Sequence, residues 1–173
     1  MNLTLAIPEN LIPAAADHPY IDHVVDYKKV NLDEYIVFNT SSACARYETA
    51  KAPLADLHRS DIWARQCGIT LTNHDMHLRL SDSEIEFGKK LVGSGPSIAF
   101  SPLSAMASKN LSLEYIHEII SLLEKDFNVF CLHSTLIKGV KTTVGLGIRQ
   151  WLSVLNAVDY VLSVDTAAFH AAG

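Results

Sequence analysis

The sequence predicts an α/β protein built from parallel-sheet layers, and three observations carry that reading. From Leu80 onward, apolar runs of strand length alternate with stretches of helical periodicity over short connections, the signature of right-handed βαβ units. Apolar residues make up 49% of the 173 and charged residues 19%, a composition that folds. No repeat of fixed period is visible, and Gly and Pro are scattered rather than clustered, so collagen-like and low-complexity architectures are excluded.

In chain order, Leu3–Ile7 is an apolar run stopped by Pro8 and reads as a buried strand. Asn10–Ala16 reads as a short helix ending before His18-Pro19. Val24-Val25 and the run Tyr35–Phe38 are further strand candidates. Leu54–Cys67 carries Leu54, Leu57, Ile62 and Trp63 and is followed by Gly68, a helix with its C-terminal stop. Ser81 followed by Glu84 is a capping-box pair. The helix it opens is expected to run to about Val92, with Ile85, Phe87 and Leu91 inward. Gly93-Ser-Gly-Pro96 ends it and marks the expected boundary between a domain over 1–92 and a second over 93–173. Beyond lie a strand (Ser97–Phe100), a helix (Ser112–Lys125), a strand (Val129–Leu132), a helix (Ile148–Ala157) and a strand (Tyr160–Val164). The N-terminal half reads as part of a similar layer with weaker periodicity. Few strands precede Gly93 and the chain stops at Gly173, so both layers are expected to be incomplete, as in a fragment or a chain completed by a partner. An uncovered sheet predicts self-association.

The net charge of −5 argues against electrostatically driven nucleic-acid binding. Three cysteines, Cys44, Cys67 and Cys131, without a CxxC or a His-spaced partner fit a reducing compartment and idle thiols. The longest uncharged stretch, Leu91–Ser108 apart from its flanks, is interrupted by Gly93, Gly95, Pro96 and Pro102 and is not a transmembrane helix. No basic leader opens the sequence. The expectation is a cytoplasmic protein.

Ligands of open α/β sheets sit beyond the carboxyl ends of the strands, so the loops after Phe100, Leu132 and Val164 are the places for chemistry. Asp165-Thr166-Ala-Ala-Phe-His170 follows an apolar strand and enters a helix. Its N-terminal turn can hold an anion, and His170 falls on the same helical face as Thr166. Spacing alone leaves a second reading open: an Asp N-cap and a histidine resting on the sheet. The loop Ser101–Asn110 offers Ser104 and Ser108 as donors to phosphate oxygens and Lys109 as a point charge; a solvated loop with a surface lysine is its alternative. No GxGxxG or Walker sequence occurs. His58-Arg59-x-Asp61 reads as an exposed charged helix face. His74 and His77 flank Asp75 without a third ligand at plausible spacing, so no metal site is expected. Gly145-Leu-Gly147 reads as a turn, and no GxSxG elbow is present.

These residues form a set. Pro102 to Gly173 resembles the C-terminal, donor-binding domain of glycosyltransferase family 9, the ADP-heptose–lipopolysaccharide heptosyltransferases and their relatives. The matching features are a small-residue loop ending in Lys109 before Leu113-Glu-Tyr-Ile116, a strand at Val129, and the run Trp151-Leu-x-x-Leu-Asn-Ala-Val-Asp159 leading to Asp165-Thr166-x-x-x-His170. Many members carry Gly at the position of Ala167. His18-Pro19-Tyr-Ile-Asp22-x-Val24-Val25 and His58-Arg-x-Asp61-x-x-Ala64-x-x-x-Gly68-Ile69 resemble N-terminal segments of the same family.

The resemblance implies a GT-B architecture, two Rossmann-like layers facing a cleft, with the acceptor on the 1–92 side and a nucleotide-diphosphate sugar on the 93–173 side. It implies that Ser104 and Lys109 hold the diphosphate, while Asp165, Thr166 and His170 contact phosphate and donor sugar. Transfer would be inverting, metal-independent and free of cofactors, to a glycan or lipid-linked acceptor, in the cytoplasm or peripherally at the inner membrane. The family's base, an acidic residue in a Gly-rich segment after the first strand, has no counterpart here, so no catalytic residue is assigned. A ribose-binding Glu is likewise not identifiable around His133-Ser-Thr135. The alternative is a truncated, non-catalytic nucleotide-sugar-binding module.

Overall fold

A computed structural model of the chain describes residues 2–38, 42–74, 78–132, 137 and 139–172. Its strands form two separate parallel sheets. In the N-terminal one, β1 (Thr4–Ile7) pairs with β2 (His23–Asp26), Thr4 opposite His23 and Ile7 opposite Asp26. The connection is a 3-10 helix, Glu9–Ala15. Pro13 lies inside it and lacks an N–H to donate, and the tighter turn replaces the α-helix expected there.

The second sheet contains β3 (Ser97–Ser101), β4 (Asn128–Cys131), β5 (Lys141–Thr142) and β6 (Tyr160–Ser163), in the spatial order β5-β4-β3-β6, all parallel. The chain steps outward from β3 to β4 and β5 on one side, then returns to the other side of β3 as β6. The strand order therefore reverses between β3 and β6, the switch point at which open α/β sheets bind ligands.

Side chains alternate across this sheet as a period of two demands. Ile98, Phe100, Val129 and Cys131 pack with Ile116 and Ile120 of helix α4 (Leu113–Leu123) on one face. Ala99, Phe130 and Leu132 pack on the other face with Val154 and Leu155 of α5 (Ile148–Ala157), Ala168 of α6 (Ala167–Ala171) and Val92 of α3 (Asp82–Val92). The result is a three-layer sandwich. Asp159 fixes the start of β6 by accepting from both the backbone N–H and the hydroxyl of Ser97, at 2.8 and 2.7 Å.

Helix α3 opens with the expected capping box of Ser81 and Glu84. It lies so close to α5 that a Cβ on Gly88 would stand 2.1 Å from the carbonyl oxygen of Ser153. Gly88 and Val92 are buried and Ile85 and Phe87 half-buried, whereas Leu91, expected inward, is exposed. The close backbone approach centres the contact with α5 on Gly88 rather than on a large side chain. Arg149 of α5 clamps Glu84 with two hydrogen bonds of 2.6 Å and donates to the carbonyl of Arg79.

Two N-terminal expectations are overturned. Tyr35–Phe38 forms no strand; it follows a 3-10 turn, Leu32–Glu34, capped by Asn31, and Ile36 is 85% exposed. An apolar run becomes a strand only where a neighbour offers backbone partners. The helix expected over Leu54–Cys67 is shorter, α2 (Arg59–Gln66), because the His58 ring caps it by accepting from the Ser60 N–H. Before it lies α1 (Ala43–Lys51), which has no apolar stripe to betray it. Ala43, Cys44 and Ile62 form the small core between these helices.

The three cysteines are unpaired, Cys44 and Cys131 buried and Cys67 half-buried, and burial pushes the Cys131 thiol up to about 11. No helix among the described residues is long and apolar enough to cross a membrane.

Candidate functional site

The switch point is framed by two loops. The first leaves β3 through the buried Pro102 and is closed where the Leu111 N–H donates to the Pro102 carbonyl, 3.1 Å. Within it, the Ser104 N–H donates to Asn110 Oδ1 at 2.7 Å, and Ser104 Oγ both donates to the Met106 carbonyl and accepts from the Met106 N–H, at 3.1 Å each. A 3-10 turn, Ala107–Lys109, then delivers Lys109 to the cleft. The second loop is anchored by the Val164 N–H on the Ser101 carbonyl, 3.0 Å, and presents Asp165 immediately before Thr166, the N-cap of α6.

The two loops meet at a salt bridge. Lys109 Nζ lies 2.6 Å from Asp165 Oδ2, and His170 Nε2 lies 3.5 Å from the other carboxylate oxygen. Asp165 is held below the usual carboxylate range, first by its hydrogen bond from Lys109, then by the charge of that lysine, with smaller contributions from His170 and from Arg59 of α2. Lys109, Asp165, Ser104 and Thr166 line a cavity of about 520 Å³ together with Leu103 and Met106.

A second cavity of about 530 Å³ adjoins it, sharing Leu103, Thr166 and Ala167. Its walls are mainly apolar, among them Leu132, Val144, Leu146 and Trp151, and the 3-10 helix of the N-terminal region contributes Asn10 and Leu11.

Five of the six residues named from the sequence thus gather at one end of the β3–β6 pair, with different roles, whereas Ser108 is exposed and lines neither cavity. Lys109 and Asp165 face the cavity as charges. Ser104 lines it while its hydroxyl is engaged within its own loop. Thr166 Oγ1 accepts from the Ala168 N–H at 3.1 Å, so it caps α6 as well as lining both cavities. His170 contacts Asp165 rather than sharing a face with a free Thr166 hydroxyl. The helix after Thr166 spans five residues, and the threonine already occupies one of its leading N–H groups.

No sequence pattern points to the second cavity. Its wall over 143–146 follows β5, a strand of two residues that no apolar pattern announces. Gly145-Leu-Gly147, read from sequence as a turn, belongs to the approach to α5, and this was the available signal.

Elsewhere, Arg59 forms a fork on Glu48 at 2.7 and 3.0 Å, and His74 Nε2 lies 3.0 Å from Asp61. These fit the exposed charged face expected of α2. Among the described residues no group of three or more His, Cys, Asp or Glu is placed to hold a metal ion. Asp75, His77 and the segment 133–135 lie outside the described residues.

No protein-family model matches the chain, and no curated protein matches it in sequence. Among solved structures it is similar to ADP-heptose LPS heptosyltransferase II of E. coli, with a TM-score of 0.62 at 12% identity, over 99% of this chain and 72% of that one. The fold is GT-B-like. At that identity the likeness concerns architecture alone, and it agrees with the α/β organisation in two parallel-sheet layers read from the sequence.

Proposed function

We propose that the cleft beyond β3 and β6 binds a nucleotide-diphosphate sugar, and that the protein transfers the sugar to a glycan or lipid-linked acceptor. The observation that carries this reading is the Lys109–Asp165 contact at the switch point, beside a mainly apolar cavity of about 530 Å³. In this reading the diphosphate lies against Lys109 and Ser104. An incoming anion competes with Asp165 for the lysine, which frees the carboxylate to accept from donor-sugar hydroxyls, with His170 steadying it from the other side. The base and ribose fill the apolar neighbour.

As the bond between the anomeric carbon and the diphosphate oxygen breaks, negative charge grows on the leaving group, and Lys109 stabilises it where it grows. The acceptor oxygen forms the new bond and gives up its proton; no residue is assigned as the base that takes it. The 93–173 region is then the donor side and 1–92 the acceptor side. The resemblance to heptosyltransferases makes an ADP-heptose-like donor and a lipopolysaccharide acceptor the first compounds to try.

Calorimetric titration with ADP- and UDP-sugars tests the donor site. Lys109→Ala is expected to weaken binding by about 10-fold or more, the loss of one charge-assisted hydrogen bond of ~1.5–3 kcal/mol. Absence of binding, or binding indifferent to this variant, overturns the reading. A second reading, binding without transfer, is favoured because the phosphate-facing side chains all lie in the C-terminal layer, so binding requires no base. Detection of sugar transfer by the chain excludes it.

A further inference from the structure

The apolar cavity beside the Lys109–Asp165 site takes part of its lining from the other end of the chain. Asn10 and Leu11, on the 3-10 helix after β1, line it together with Trp151 and Leu146. Asn10 also lines a third cavity, of about 410 Å³, with Glu9, Asp26 and Tyr27. Asn10 therefore borders both spaces. Among the described residues nothing accepts from or donates to its amide, whereas three polar side chains around it are engaged: Glu9 with Lys29 at 2.8 Å, Asp26 with the Lys28 N–H at 3.1 Å, and Thr166 with the Ala168 N–H.

We propose that Asn10 is a specificity-determining residue of the cleft, whose amide reads the polar edge of the heterocycle seated in the apolar cavity. The inference rests on the nucleotide-sugar reading and adds to it a contact from the N-terminal region. Apolar walls grip the face of any planar ring alike and select poorly among bases. Selection comes from hydrogen-bonding groups that an incorrect ligand leaves unpaired. An Asn amide places a donor and an acceptor side by side in one plane, the arrangement that meets a heterocycle edge with two bonds. Ser101 and Thr143, the polar contributors besides the helix-capping Thr166, are buried and offer hydroxyls, which turn to suit either donor or acceptor and discriminate less.

The test compares ADP, IDP and inorganic pyrophosphate on the full chain, with Asn10→Ala and Asn10→Leu as variants. ADP and IDP differ at one ring-edge position, amino against oxo, and pyrophosphate has no ring. The wild type is expected to separate ADP from IDP by about 5-fold or more, roughly the worth of one net hydrogen bond. Both variants are expected to compress that ratio to within about 2-fold while leaving pyrophosphate affinity unchanged. Asn10 is exposed, so the variants are expected to keep the wild-type thermal midpoint. If the wild type binds pyrophosphate and nucleotides but the ratio survives in the variants, or is absent from the start, the role of Asn10 is overturned and the cleft reading stands. If the wild type binds none of the three, both fall.

Discussion

The two sheets of this protein are built on opposite terms. The C-terminal sheet has four strands with helices on both faces, and its two core clusters meet through alternating residues of the same strands. The N-terminal sheet has two strands among the described residues, and the buried cluster of that region is small: Ala43, Cys44 and Ile62, with Tyr47 and Leu57 packed against it. A two-stranded sheet is marginal by itself, and Tyr35, Val37 and Phe38 of the same region remain exposed. Burial, and with it stability, is concentrated where the candidate donor site is rooted. A site that must hold Lys109 and Asp165 at a fixed separation gains from standing on the stiffer layer.

The strongest way to break this comparison is to hollow out that layer. Phe100 is 1% exposed and packs among Ile98, Ile116 and Val129. Phe100→Ala is expected to cost about 3–5 kcal/mol, from lost burial plus the cavity left behind, read as a lower midpoint in denaturant. The chain has one tryptophan in each region, Trp63 in α2 and Trp151 in α5, so Trp63→Phe and Trp151→Phe backgrounds follow the two regions separately. The Trp151 signal is expected to shift in full. If it barely moves, the C-terminal sheet is not where the stability lies.

A smaller effect tests how firmly α3 is tied to α5. Glu84 is pushed from its ordinary 4.5 to about 2, chiefly by the hydrogen bond from Arg149 and next by the Ser81 backbone N–H. Its pKa is lowered on folding, so the stabilisation is present in full above about pH 4.5 and is lost as pH falls through 2. Glu84→Gln is expected to cost about 1.5–3 kcal/mol at neutral pH, the worth of a charged hydrogen bond. The gap between wild type and variant should close as the solution is taken toward pH 2. A gap that stays constant would mean that the Arg149 clamp does not tie α3 to α5.

The same contrast explains what was legible in the sequence. Ile148–Ala157 was bounded correctly because its apolar face repeats at helical spacing over a full element, and Ser81 with Glu84 announced α3 through chemistry local to one turn. The second loop of the candidate site is legible for a similar reason, since Asp165 and Thr166 directly follow an apolar strand. Their meeting with Lys109 was not readable from spacing, because it depends on β6 returning beside β3 across 56 positions. Asn10 and Thr143 escaped notice because each reaches the cleft from an element without periodicity, a 3-10 turn and the end of a two-residue strand. In the N-terminal region, Tyr35–Phe38 had the composition of a strand without a partner to pair with, whereas α1 had a helix without the composition of one.

The smallest effect is also the one that sharpens the comparison most. Ile36 is exposed, so Ile36→Ser is expected to change stability by no more than about 0.5 kcal/mol, as surface substitutions do. Equal midpoints for wild type and variant in dilute solution would place this run outside the cooperative core. Self-association is expected from the sequence through an uncovered sheet, but the C-terminal sheet carries helices on both faces, so the exposed run is where the same substitution has a second readout. Large exposed apolar side chains in one stretch mark an interaction surface, so if a second copy covers this run, sedimentation of the wild type shifts with concentration and Ile36→Ser reduces that shift. A wild type that sediments as a monomer at every concentration leaves Tyr35–Phe38 as solvent-facing chain, and the asymmetry between the two regions then belongs to the single molecule.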